Sequence, residues 1–430
     1  MKQKNYKKRI IDELIDERNE AFGALNIVGP KGCGKTETAS QRCNTIIAFQ
    51  NEDERENLLK IANTLPSNFV NNPKPILFDE WQDAPKVWGM VRSYCDDHPE
   101  ELGSFYLTGS SSKNIAIPHT GTLRIAQLQM RPMSLYETGE SNGQISLMQL
   151  FDDPSSFSGC QSGSTLDDII FALCRGGWPK YLYAKTKKGE LLVPKELFEQ
   201  TYKTDISNID STTRNPEIAK LILRSYARNI CTLADNRTII GDVNANHPIS
   251  ETTYYDYIGA LKKLYIIDDL DAWCPAIRSK TAIRSRVKRN FVDPSLAVAA
   301  LGASPEYFAK DFKTLGFLFE SLCIRDLKVY SSSMSGSVSY YHDRYGLEAD
   351  GVLHLEDGRY ALLEFKLGEN EVAEGSSHLC EIEKLITEYN KKEKQCPLRT
   401  PDLKIVITAT KYGYKNEDGV FVIPLGCLKD

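Results

Sequence analysis

The sequence of 430 residues is short of several features, and each shortage narrows the field. None of its 11 cysteines forms a C-x-x-C pair. That argues against a zinc site and for reduced, mostly buried thiols in a cytoplasm. No apolar run approaches the length of a membrane span. The stretch Met1 to Arg9 is basic, but no apolar signal core follows it. There is no internal repeat and no long low-complexity tract; only Asp152 to Thr165, rich in Ser and Gly, reads as a linker. Positive charge is not in excess either. The net charge is −5, so the whole chain is no obvious nucleic-acid binder, although one region can carry a basic face. What is present, 41% apolar and 26% charged residues, is the composition of a soluble globular protein of two or three domains.

One stretch organises the rest: Gly29-Pro30-Lys31-Gly32-Cys33-Gly34-Lys35-Thr36. It follows the apolar run Leu25 to Val28 and precedes a predicted helix from Glu37 to Asn51. Strand, glycine-rich loop and helix make the context of a phosphate-binding loop. Its glycines let backbone N–H groups turn inward around an anion, and the helix that follows offers its positive end. Lys35 then reaches the β- and γ-phosphates, and the Thr36 hydroxyl ligates Mg²⁺. An amphipathic helix, Tyr6 to Gly23, is expected before the first strand. Pro75-Ile-Leu-Phe-Asp79-Glu80 reads as a buried parallel strand with two carboxylates at its C-terminal edge, where ligands of such sheets bind. Asp79 is expected in the Mg²⁺ shell and Glu80 as the group that polarises the attacking water. A further strand, Ser104 to Leu107, ends in Thr108-Gly109-Ser110-Ser111, where a polar side chain can sense the γ-phosphate or simply end a strand. Arg124 and Arg131 are the candidates for an arginine that reaches the γ-phosphate from the same or a neighbouring subunit.

Three segments carry a resemblance: Leu77-Phe-Asp-Glu-Trp-Gln-Asp-Ala-Pro85, Leu107-Thr-Gly-Ser-Ser111 and Arg131-Pro-Met-Ser-Leu-Tyr-Glu137. They resemble a family of prokaryotic AAA-type ATPases in which an N-terminal ATPase is joined to a C-terminal domain of unknown function. The resemblance implies an ASCE-type P-loop core. In it Gly34, Lys35 and Thr36 bind nucleotide, Asp79 and Glu80 serve Mg²⁺ and hydrolysis, and Ser110 takes the sensor position.

In the middle, helices are expected at Leu166 to Cys174, Lys195 to Ile209 and Pro216 to Asp235, with a breaking turn at Gly176-Gly-Trp-Pro179. Ser250 reads as the N-cap of a helix whose Tyr254, Tyr257, Ile258 and Leu261 share a face. The strand-like Tyr265 to Trp273 follows at once. Helix, turn, helix and ribbon is the order of a winged helix; a scaffold module fits the same pattern. Downstream lie six cations in twelve positions: Arg278, Lys280, Arg284, Arg286, Lys288 and Arg289. Such a patch either neutralises phosphates or forms a solvated loop.

The last third alternates in a telling order. Helix Asp311 to Lys328 precedes strands Ser337 to His342, Ala349 to Leu355 and Tyr360 to Phe365; helix Ser376 to Tyr389 and strand Leu403 to Thr408 follow. Glu364 and Lys366 fall on one face of their strand, and Asp350 converges from its hairpin partner. Two carboxylates can hold Mg²⁺ while the lysine orients water. Glu348 lies nearby, and Glu320 is either a third ligand or a helix-surface acid. This set resembles the PD-(D/E)xK, restriction-endonuclease-like nucleases, with Ala349 where those carry Pro.

The expectation is therefore an α/β protein. A P-loop NTPase (ASCE/AAA-like) parallel sheet spans 1–150, a helical, winged-helix-like part 166–300, and a restriction-endonuclease-like domain 301–430. It would be a cytoplasmic, Mg²⁺-dependent ATPase, with ATP as ligand. DNA or RNA would be met by the middle and C-terminal parts, with a homo-oligomer as a further partner and no membrane. The alternative is a nucleotide-switched interaction protein whose nuclease-like domain does not cut.

Overall fold

A computed structural model describes residues 6–109, 121–210, 212–276, 283–343, 345–392 and 395–430. Its first sheet has the order β2-β3-β4-β1-β5. The strands are β1 (Ala24–Val28), β2 (Thr45–Ala48), β3 (Ile76–Asp79), β4 (Phe105–Thr108) and β5 (Ile125–Gln129). Every pairing is parallel. β4 is buried throughout and β3 up to its last residue, as continuous apolar runs in a sheet covered on both faces must be. Parallel pairing also brings the chain ends after β1, β3 and β4 to one edge.

Two boundaries differ from the sequence reading. The leading helix is Ile11–Asn19. The helix after the loop, expected to run from Glu37 to Asn51, covers only Lys35–Ser40. Thr45, Ile46 and Ile47 instead pair with Ile76, Leu77 and Phe78. Their β-branched side chains suit that open strand edge, and long-range pairing overrides local helix propensity.

The middle contributes helices Leu166–Arg175, Lys187–Gln200, Pro216–Arg228, Asn236–Asn244, Glu251–Lys263 and Pro294–Leu301. A π-helical turn, Thr201–Asp205, extends the second of these. The stretch expected as one helix from Pro216 to Asp235 ends at Arg228, and Asp235 caps the next helix by accepting from Thr238 N. Ser250 caps Glu251–Lys263 as expected. The strand expected at Tyr265 to Trp273 is reduced to isolated bridges, Ile267 to Phe291, Leu270 to Lys288 and Ala272 to Tyr340. Aspartates are poor strand formers, and those here are engaged by cations: Asp268 by Arg131 and Lys328, Asp269 by Lys262.

A seven-stranded sheet forms the C-terminal part, in the order β7-β12-β13-β11-β10-β9-β8. Its strands are β7 (Cys160–Gln161), β8 (Gly336–His342), β9 (Glu348–Leu355), β10 (Tyr360–Lys366), β11 (Leu403–Thr408), β12 (Tyr412–Lys415) and β13 (Phe421–Pro424). β8, β9 and β10 run antiparallel, while β10, β11 and β13 run parallel. Helices Phe312–Ser333 and Val372–Lys392 pack on it. The segment expected as a linker is part of this sheet: Cys160 and Gln161 pair with Gly413 and Tyr412. A second tie joins β6 (Ile145–Ser146) to β14 (Leu428–Lys429).

One hydrophobic core runs through all three parts, from Ile10 and Leu25 through Trp178, Tyr226 and Phe291 to Phe319 and Leu428. Two smaller clusters fill the outer sides of the sheets, one around Phe78 and Trp88, the other around Leu362 and Leu379. A buried ion pair crosses from the C-terminal part to the middle, Arg325 to Asp293 at 3.1 Å, and another, Arg9 to Glu137 at 2.9 Å, closes the first part on itself. Among the described residues no helix is long and apolar enough to cross a membrane.

Candidate functional site

The loop between β1 and its helix is shaped by close approach. Gly29 has φ +148°, and a Cβ there would lie 2.2 Å from Met130 O. Gly34 has φ +104°, a conformation that favours glycine. Lys35 is buried, and its Nζ donates to Gly29 O and Pro30 O, both at 2.9 Å. The ammonium thus closes the loop on itself. The Arg9 guanidinium donates to Cys33 O at 3.0 Å from outside the loop.

Three elements converge on Asp79. The Thr36 hydroxyl and the Thr108 hydroxyl each donate to its Oδ1 at 2.7 Å. Of the described residues Thr108 and Gly109, Thr108 is brought onto the carboxylate; Ser110 and Ser111 lie outside the described residues. Glu80 sits in the left-handed region at φ 53° and starts a short turn, Trp81–Asp83. Gln82, buried below it, donates from Nε2 to the Glu80 carboxylate. The Gln82 Oε1 is buried and accepts no hydrogen bond among the described residues. A Cβ on Gly109 would meet it at 2.4 Å, so the glycine leaves room for this side chain. Sequence reasoning passed over Gln82. Its position three residues after Asp79 is visible, but its reach back to Glu80 depends on the turn.

Two recesses flank the loop. A cavity of about 170 Å³ is lined by Lys31, Glu80, Gln82, Thr201 and Asp205, and Lys31 meets Asp205 of the π-helical turn at 3.4 Å. On the other side a smaller recess is lined by Tyr6, Gly34, Glu37, Thr38, Pro179 and Leu182. Burial pushes the Glu37 carboxyl up. Gly32, the remaining loop glycine, has open space where a Cβ would stand. The two arginines part company. Arg124 precedes β5 at the sheet edge away from the loop, where its backbone bonds Ala24 and its side chain meets Asp96 at 2.6 Å. Arg131 lies at the loop edge, paired with Asp268.

The second cluster is on the C-terminal sheet. Lys366 Nζ lies 2.9 Å from Glu364 Oε2, as alternation along β10 requires. Asp350 reaches across from β9 and accepts from Phe365 N at 3.1 Å. Glu320 is buried and aimed inward from its helix, so it is not a surface acid. Its Oε1 lies 2.7 Å from Lys288 Nζ, and that ammonium is 3.6 Å from Asp350 Oδ1. Burial pushes Glu364 up to about 8, with the charge of Asp350 adding to it and Lys366 opposing it. Burial also pushes Glu320 up to about 8 against the pull of Lys288, and the Asp350 and Glu348 charges add to the rise. Glu348 starts β9 and is half-buried. Glu364 Oε1 is buried and accepts no hydrogen bond among the described residues.

The basic patch is corrected by the same geometry. Lys288 and Arg289 are buried, Lys288 in this cluster and Arg289 against Tyr226, Ala234 and Asn236. Arg284 and Arg286 are exposed, and Arg278 and Lys280 lie outside the described residues.

Residues 21–139 match the family described as AAA domain. Residues 166–307 match a domain of unknown function, DUF8612, and residues 315–428 another, DUF4143. No curated protein matches the chain. Among solved structures it is similar to the Walker-type ATPase PABY2304 of Pyrococcus abyssi, at 13% identity over 70% of this chain and 97% of that one, TM-score 0.42. It is also similar to the STAND protein with a tetratricopeptide repeat sensor PH0952 of Pyrococcus horikoshii, at 14% identity over 77% and 49%, TM-score 0.24. A third likeness is to the replication initiator DnaA bound to AMPPCP and single-stranded DNA, at 11% identity over 58% and 86%, TM-score 0.27. The phosphate loop, the parallel sheet and the family match agree: the chain carries an AAA-like P-loop ATPase domain joined to a DUF4143 domain.

Proposed function

We propose that the protein binds ATP with Mg²⁺ and hydrolyses it, and that this cycle drives a C-terminal module that meets nucleic acid. The observation that carries the first half is the convergence of Thr36 and Thr108 on Asp79 beside the phosphate loop. Hydroxyl and carboxylate oxygens are the hard donors that Mg²⁺ takes, so these residues fit the ion. Thr36 would ligate it and Asp79 would hold its shell, and the ion would neutralise phosphate charge. Loop residues 29–36 would cradle the phosphates. The recess lined by Tyr6, Thr38, Pro179 and Leu182 would take the base. Glu80, oriented by Gln82, would accept the proton of the attacking water in the cavity beside Lys31.

The second half rests on the C-terminal cluster. Asp350 and Glu364 supply carboxylates, and the buried Glu364 Oε1, which accepts no hydrogen bond among the described residues, fits a cation. A divalent ion held there would polarise a phosphodiester, and Lys366 would orient water. The succession of helices in the middle, without the ribbon expected after it, would meet DNA or RNA through a helix. The buried state of Lys288 and Arg289 favours a second reading, a nucleotide-switched interaction protein that does not cut. Under either reading a homo-oligomer is one way for Arg124 to meet a neighbour's nucleotide.

The test is ATP hydrolysis by the intact protein with Mg²⁺, with and without DNA or RNA, beside Lys35→Ala and Glu80→Gln. Both variants should lose turnover; normal turnover in Lys35→Ala would overturn the nucleotide assignment. Stimulation by nucleic acid, and metal-dependent cleavage lost in Lys366→Ala, would support the nuclease-like reading. Intact DNA and RNA under all metals would support the switch.

A further inference from the structure

Lys288 is far in sequence from the carboxylates it meets. The bridge to Leu270 fixes its backbone: each residue's N–H donates to the other's carbonyl at 2.9 Å. From that anchor the side chain enters the C-terminal cluster and is almost fully buried, at 4% exposure. Its Nζ meets Glu320 at 2.7 Å and Asp350 at 3.6 Å, and lies 5.6 Å from the Tyr340 ring centroid. The other ionisable groups facing the cluster include Glu348, Glu364, Lys366 and His378, the last 3.7 Å from Glu364 Oε1. Buried carboxylates require a compensating positive charge. For Glu320 and Asp350 that charge comes from a segment outside the C-terminal sheet.

We propose that Lys288 is the resident cation of the C-terminal carboxylate cluster and competes with a divalent ion for Asp350. This rests on the reading of Asp350 and Glu364 as a divalent site. The ammonium and a divalent ion would be like charges sharing one carboxylate in a buried site, where repulsion is poorly screened. Metal therefore loads fully only when Lys288 withdraws, and the segment that carries Lys288 governs loading. The segment bridged to it faces the ATPase. Asp268, two residues from Leu270, is paired with Arg131 at the phosphate-loop edge of β5 and, at 3.0 Å, with Lys328 on the helix of Glu320.

The experiment is Mn²⁺ binding by calorimetry to the full chain without nucleotide. It compares wild type, Lys288→Met, and the double variant Lys288→Met with Glu320→Gln. The double variant removes the ammonium without stranding Glu320, and circular dichroism checks that it folds. Expected is Mn²⁺ binding at least about tenfold tighter in the double variant than in wild type, ~1.4 kcal/mol, and lost again on adding Glu364→Gln. Equal or weaker binding in a folded double variant, with the Glu364-dependent site still present in wild type, overturns the competition alone. Absence of any Glu364-dependent Mn²⁺ site in every protein overturns the divalent-site reading and the competition with it.

Discussion

Lys35 and Gln82 do different work at one site. Lys35 stitches the loop through two carbonyls, which on the proposed reading it would exchange for phosphate. Gln82 holds Glu80 through its amide nitrogen and keeps its amide oxygen buried, with no hydrogen bond among the described residues. Gln82→Ala should lower kcat about 10²-fold, the usual loss when acid–base chemistry is disturbed. Nucleotide affinity, read by fluorescence titration with an ATP analogue, should be unchanged; a loss of affinity with kcat preserved would refute this role. Gly109→Ala should give the same split, because its methyl would displace the Gln82 side chain. Asp79 and Glu80 were legible in the sequence because an apolar run ending in two acids has a recognisable form. Gln82 was not, because its contact depends on the left-handed Glu80.

Among the elements, the Phe312–Ser333 helix is long and mostly buried. Phe319 on it is buried in the core shared by all parts. Phe319→Ala should cost ~3–5 kcal/mol, as large cavities in well-packed cores do. Chemical denaturation reads it, and a loss below about 1 kcal/mol would mean the site collapses. The turn Gly176-Gly177 is another point of close approach, since a Cβ on Gly177 would lie 2.0 Å from Met133 O. Gly177→Ala should force that joint apart and lower Tm. Element types were legible where a pattern was strong: β8 to β11 and the two helices packed on them fall within a few residues of expectation, while β12 and β13 were not expected. β2 and β7 were hidden, because each is short and is a strand only through a distant partner.

At the scale of the whole molecule, three sequence regions share one core and are tied by ion pairs. Asp268 is the clearest knot. Burial alone would raise its pKa, but Arg131 and Lys328 overcome this and hold the carboxyl down at about 2. Unfolded, an aspartate titrates near ~3.9. A depressed folded value gives stability that is present above the unfolded pKa and is lost as pH falls through the folded one. The shift amounts to roughly 2–3 kcal/mol. Asp268→Asn should therefore melt below wild type at pH 7, with the gap closing from about pH 4 towards pH 2. A gap independent of pH would mean that the ion pairs contribute nothing to stability.

Local chemistry was written in the chain's spacing: a phosphate loop between strand and helix, acids at a strand end, and alternation that puts Glu364 and Lys366 together. Such features depend on residues within a few positions of one another, so spacing and periodicity suffice. Only the tertiary structure decided which distant residues meet. It took Lys288 out of an apparent surface patch and buried it among carboxylates, turned Glu320 inward, and drew a supposed linker into a sheet. It set Arg124 at the edge away from the nucleotide loop. The physical reason is the same in each case. Burial of charge and pairing of strand edges are satisfied by partners far along the chain, and no local pattern names them.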